Sequence, residues 1–231
     1  MQLIGLIGGL SWESTAEYYR ILNQGAQARL GGVHSARSLI YSFDFGEIEA
    51  LQHAGRWDVA EAAMVDAAQR LERGGADFLV ICSNTMHRMA AAIETAVKPP
   101  LLHIADPTGA AIKAAGFKRI GLLGTGFTME QPFYRQRLVD KFGLDVRVPD
   151  AAGRKVVHDI IYTELVKGIV RDESRAAYRD VMAKLVTDGA EGIILGCTEI
   201  MLLVGEKDAA VPLFDTTTIH AEAALARALG Q

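Results

Sequence analysis

Two thiols carry the most reactive atoms of the chain, Cys82 in CSNTMH and Cys197 in GCTEI. Cys197 stands between a glycine and a helix start, where free N–H groups and the positive helix end favour a thiolate, hence a base or a nucleophile. The alternative for either thiol is a small buried core residue. Two further segments, GGLSWEST and GTGFTMEQ, share a run of small and hydroxyl residues at a helix start. Turns of that kind present N–H groups to an anion. GGLSWEST lacks the phosphate-loop lysine and the full GxGxxG spacing, so nucleotide binding is weakly supported. Part of this loop reads as ligand-facing, or as a tight turn with Ser11 capping a helix. His87 is either a general base or a structural histidine near a helix start.

These segments follow short apolar runs. Strands are predicted over residues 3–7, 38–43, 78–82, 101–104, 119–123, 192–195 and 211–214, several of them continuously apolar as in parallel strands buried on both faces. Helical stripes lie between them. Ala60, Ala63, Met64, Ala67, Ala68 and Leu71 form one, and Tyr178, Val181, Met182, Leu185 and Val186 another. Strand alternating with helix implies a parallel sheet, with ligands beyond the carboxyl ends of the strands.

The chain also repeats itself. QRLERGGADFLVICSNT aligns without a gap on AKLVTDGAEGIILGCTE, pairing Leu71 with Leu185, Gly75 with Gly189, Asp77 with Glu191 and Ser83 with Cys197. LIGLIGGLS on RIGLLGTGF pairs Gly5 with Gly121 and Gly8 with Gly124. The fold expected is therefore α/β: two pseudo-symmetric three-layer halves, residues 1–98 with 212–231 and residues 99–211, each with a mostly parallel sheet and with the site in the cleft between them. The register also separates the two neighbours in CSNTMH. Side chains alternate at a strand end, so Cys82 faces the core and Ser83 the site.

Composition excludes several classes. A formal net charge of −4 leaves no nucleic-acid footprint. Two cysteines are too few for a secreted disulfide scaffold and imply a reducing, cytoplasmic setting. No apolar run approaches a membrane span, and MQLIGLIGGL, without a basic flank, reads as a first core strand. The six histidines lack metal-ligand spacing. His103 and Asp106, and His220 with Asp215, read as satisfied core or orienting groups.

GLIGGLSWEST, the NTMH of Asn84–His87, LLGT with TMEQ in the middle and GCTEI near the end resemble the aspartate/glutamate racemase family, in order and over essentially the whole chain. The resemblance implies proton exchange at the α-carbon of an acidic amino acid, without pyridoxal phosphate or any other cofactor, and without metal. It also implies one base on each face of the substrate, and a homodimer. Both bases are usually cysteines. Here the second maps onto Cys197, while the first maps onto Ser83, similar to a subgroup with a hydroxyl residue at that place. The resemblance puts Asn84, Thr85, Thr198 and Glu199 around the substrate ammonium and α-carboxylate. It puts Leu10 and Gln52 along the pocket, Thr125 and Thr128 in the GTGFTMEQ segment near the substrate, and Lys167 against it. DFGEIEALQH lacks the arginine that some members carry after the second strand. A decarboxylase or isomerase of the same superfamily, or a non-catalytic protein that binds acidic amino acids, are the rival readings.

Overall fold

The computed structural model describes all 231 residues. They divide into two units, Met1–Ile104 with His220–Gln231, and Ala105–Ile219. The first holds a four-stranded sheet of β1 (Ile4–Gly8), β2 (Ser38–Ser42), β3 (Phe78–Ile81) and β4 (Leu101–Leu102), in the order β2-β1-β3-β4. The second holds β5 (Arg119–Gly124), β6 (Asp145–Arg147), β7 (Gly192–Gly196) and β8 (Leu213–Asp215), in the order β6-β5-β7-β8. Every strand pairing is parallel. The expected boundaries at 98 and 212 fall short on both sides. Leu101 and Leu102 pair with β3 in the first sheet, and Leu213–Asp215 pair with β7 in the second.

In the first unit the two faces of β3 feed two separate cores. Leu79 and Ile81 pack with Ile7 and with Ala60, Met64, Ala67 and Leu71 of the helix Trp57–Arg73. Phe78, Val80 and Cys82 belong to the opposite core, with Ile4 and Leu6, with Tyr18 and Leu22 of the helix Trp12–Leu30, and with Leu225 of the helix Thr216–Leu229. This alternation is the period of two that a strand imposes. It carries Cys82, just past the strand end, into a core, completely buried. The predicted helical stripes hold except at Ala63 and Val186, which are half-buried.

The internal repeat has a counterpart in the strand register of each sheet. Gly5 pairs with Leu79 in one, and Gly121 with Ile193 in the other. Counting four residues on from each partner gives Ser83 and Cys197. The entries to β3 and β7 match as well. Gly75 and Gly189 follow the preceding helices with φ of 88° and 93°, a conformation that costs glycine little and other residues more. Asp77 accepts the N–H of Leu3 on its carboxylate, and Glu191 accepts those of Lys118 and Arg119. Each carboxylate thus ties the start of one central strand to the start of its neighbour. The exposed Glu191 carboxyl is held below its usual range by those two backbone donors.

Candidate active site

In the first unit the loop after β1 is fixed by Gly9. Its φ is 70°, and a Cβ there would lie 2.2 Å from the carbonyl oxygen of Phe43. Only glycine tolerates that approach. Ser11 stands at the helix N-cap, but its side chain makes no capping bond. Thr15 does the tying instead: it accepts the N–H of Gly9 at 2.8 Å and donates to the carbonyl of Ser11 at 3.1 Å. Ser11 Oγ lies 3.2 Å from Ser14 Oγ. Leu10 is buried beside them.

After β3, Ser83, Asn84 and Thr85 are all buried, Ser83 with 7% of its surface exposed. Ser83 Oγ accepts the N–H of Met86 at 3.4 Å, a long bond that leaves the hydroxyl hydrogen to other partners. Gln52, from the helix Phe45–His53, reaches the same segment through Nε2 donating to Met86 Sδ at 3.2 Å. His87 is buried and structural. Its Nε2 accepts the N–H of Ile104 at 3.1 Å, so the proton sits on Nδ1, which donates to the carbonyl of Ser83 at 2.6 Å. With both nitrogens used by the backbone, His87 holds the Ser83 turn and is not free to move a substrate proton. His103 lies against it, ring centroids 4.5 Å apart. His220 is equally committed, donating from Nε2 to the carbonyl of Leu102 and accepting from Tyr18 at Nδ1, both at 2.8 Å.

In the second unit Thr125 and Thr128 follow β5. Thr125 caps the short helix Gly126–Glu130 by accepting the N–H of Thr128 at 3.2 Å, and the two hydroxyls lie 3.2 Å apart. After β7 come Cys197, Thr198 and Glu199, all buried, with Cys197 8% exposed. Cys197 Sγ donates to Glu199 Oε2 at 2.9 Å, and Thr198 Oγ1 donates to the same oxygen at 3.0 Å. Thr216 and Thr217 hold this turn from behind, donating to the carbonyls of Leu195 and Thr198. Lys167 is exposed on the 3-10 turn Leu165–Lys167, which packs against the helix Ile200–Leu203 immediately after GCTE.

The electrostatics of Cys197 differ from the expectation of a lowered pKa. Burial pushes the thiol well up, and the charge of Glu199 and its hydrogen bond push it further. The backbone N–H groups of Glu199 and Thr198 pull the other way and lose. The following helix, Ile200–Leu203, has only four residues, too short for a large dipole. Cys82 is pushed up by burial alone. Tyr178, which the sequence offers only as one residue of an apolar stripe, is also raised. Burial is the first cause, followed by the charges of Cys197, Glu199 and Glu164. Its phenol donates to the carbonyl of Val157 at 3.2 Å. It stands on the helix Asp172–Thr187, within reach of the charges of Cys197 and Glu199, and helical spacing gives no hint of that.

No cluster of three or more histidine, cysteine or acidic side chains is arranged to hold a metal ion. No helix is long and apolar enough to cross a membrane.

The pattern of the family described as Asp/Glu/Hydantoin racemase matches residues 7–224. The chain belongs to this family. Among solved structures, a Yersinia pestis protein assigned to the Asp/Glu racemases is 55% identical, with 99% of this chain and 100% of that chain covered and a TM-score of 0.92. An aspartate racemase homologue from Pyrococcus horikoshii is 31% identical over 99% of this chain and 100% of that chain, with a TM-score of 0.84. A broad specificity amino-acid racemase of Bacillus subtilis is 22% identical over 95% of both chains. The chain is thus a member of an amino-acid racemase family with the family's two-half α/β fold.

Proposed function

We propose that the protein interconverts the enantiomers of aspartate, glutamate or both without a cofactor, with Cys197 as the main base on one face of the α-carbon and Ser83 on the other. The observation that carries this reading is the register. Ser83 and Cys197 occupy equivalent positions past β3 and β7, four residues beyond the strand partners of Gly5 and Gly121. Two-base racemisation requires such a pair, because the proton leaves one face and returns on the opposite one. Cys82 is buried in an apolar core, which supports assigning it no part in the reaction.

The chemistry is demanding, because an amino-acid α-proton is very weakly acidic. The carbanion needs its carboxylate held by fixed donors in a water-poor setting. Asn84, Thr85 and Thr198 are buried amide and hydroxyl groups of the right type, and Thr125 and Thr128 add further hydroxyls. Leu10 and Gln52 are assigned to the pocket wall, Glu199 to the substrate ammonium, and Lys167 to a substrate carboxylate. The Cys197 thiolate abstracts the proton and Ser83 delivers one from the other side. Ser83 then recovers a proton from solvent, and Cys197 returns its own to solvent.

The test is α-proton exchange in deuterium oxide, followed by NMR on single enantiomers of aspartate and glutamate. Cys197→Ala should lower exchange of both enantiomers by at least about 10²-fold, the usual contribution of a positioned acid or base. Substantial exchange in that variant would overturn the assignment. The burial of Cys82 leaves one thiol at the site, which also suits a single-thiol decarboxylase. Release of carbon dioxide from a malonate with no α-proton exchange would favour that reading.

A further inference from the structure

The Cys197 thiol has one hydrogen, and it points at Glu199. That arrangement suits a resting state more than a working base. A carboxylate that accepts the thiol hydrogen also repels the thiolate, so an empty site keeps the base protonated. An amino acid brings an ammonium group, the strongest available partner for a buried carboxylate. We propose that Glu199 is an ionisation switch: it holds Cys197 as a thiol in the empty site and releases it when the α-ammonium of a bound amino acid takes over the carboxylate. This rests on the racemase reading for the identity of the ligand, and adds to it the reason the base becomes available only with substrate present.

The other charged and titratable groups around Cys197 have other commitments. Tyr178 donates its phenol to Val157 and is held neutral by burial. Glu164 takes the hydroxyl of Ser174 and pairs with Arg171. Arg175 donates to the carbonyl of Leu203 and pairs with Asp172. Asp215, on the strand beside β7, accepts from Thr217 and Thr218. Lys167 is exposed. Glu199 is the group to which the thiol donates, and it is the second cause, after burial, that holds Cys197 protonated.

The proton balance is simple. Before binding, Sγ–H donates to the Glu199 carboxylate. After binding the ammonium pairs with the carboxylate, the Sγ–H proton goes to solvent, and the thiolate remains facing a neutralised pair. Binding should therefore release up to about one proton per amino acid near neutral pH, by linkage.

Calorimetry of L-aspartate binding in two buffers of different ionisation heat reads that release directly. Wild type should release a proton, while Glu199→Gln and Cys197→Ala should release none. L-malate, with a hydroxyl in place of the amine, should release none from wild type. Wild type releasing no proton with aspartate, or Cys197→Ala releasing as many, would overturn the proposal. A second measurement needs no substrate. In a Cys82→Ala background, iodoacetamide alkylation of Cys197 should move to lower pH by about one unit or more in Glu199→Gln, since a repelling charge is removed. An unchanged profile overturns the switch whatever binds. The two readings fail separately: proton release without α-proton exchange sinks the racemase assignment and keeps the switch, and exchange without proton release does the reverse.

Discussion

The adjacent pair Cys82 and Ser83 allows the register to be tested by truncating the residue that looks more reactive. Cys82→Ala removes a sulfur from a fully buried position in the core of Ile4, Leu6, Phe78 and Val80. The void is about 20 Å³, which at about 24 cal/mol per Å³ costs about 0.5 kcal/mol, and the lost transfer of a methylene-sized group adds about 0.8 kcal/mol. The total of about 1.3 kcal/mol should lower Tm by about 3–5 °C in a chain of this size. Cys82→Ser should be worse by about 1–3 kcal/mol, because it buries a hydroxyl among apolar neighbours. Urea unfolding followed by circular dichroism gives the order wild type, alanine, serine. α-Proton exchange per folded molecule should stay within about twofold of wild type in Cys82→Ala, since the side chain touches only the core. If Cys82→Ala loses exchange as completely as Cys197→Ala, the register is wrong by one residue and the thiol of Cys82 faces the substrate.

Ser83→Cys should speed exchange of the D enantiomer more than of the L enantiomer, by at least about tenfold, because a thiol ionises far more readily than a serine hydroxyl. The check is deuterium wash-in to L- and D-aspartate run separately; equal rates into D-aspartate in wild type and variant would remove Ser83 from the second face. Asp106 accepts two bonds from Arg137, at 2.6 and 2.7 Å, and one from Lys141 at 2.7 Å, which together overcome a burial that acts the other way and hold its carboxyl below the usual range. A depressed native pKa stabilises the fold above the unfolded value and loses that effect as pH falls through the native one. Asp106→Asn should therefore cost about 1–2 kcal/mol at neutral pH, allowing for partial exposure, with the deficit shrinking below about pH 4. Urea midpoints of both proteins across that range would refute this if the gap stayed constant.

What the residues announce and what they conceal follow from the range of the interactions involved. β1, β3 and β7, and β5 after its exposed Arg119, are legible because each is a continuous apolar run buried on both faces. β6 escapes notice: Asp145–Arg147 is a three-residue edge strand whose side chains are exposed or half-buried, so neither periodicity nor hydropathy marks it. The burial of Cys82 in a core is legible because alternation in a strand is a local rule. The raised pKa of Cys197 is not, because it depends first on burial by residues from distant segments and then on where Glu199 turns its carboxylate. Sequence shows a thiol before a helix and predicts a lowered pKa. The structure supplies a helix of four residues and an acceptor two positions away.

The two units share a frame and differ in what they mount on it. Asp77 and Glu191 make the same strand-start contact, Gly75 and Gly189 the same turn, and the sheets have the same strand order. Past β3 and β7 the parallel stops. Ser83 has its carbonyl held by a histidine whose nitrogens are both engaged with the backbone. Cys197 has its reactive hydrogen held by a carboxylate. One position is thus fixed through the main chain and the other through the reacting atom itself. A substrate ammonium that competes for Glu199 would, on the proposed mechanism, change the protonation of Cys197 and leave the Ser83 turn untouched. On the proposed mechanism, ligand binding prepares a base on one face only, and the other face has a hydroxyl that donates more readily than it abstracts. The proton traffic so proposed is directional for each bound enantiomer, while the equilibrium between the free enantiomers stays at unity.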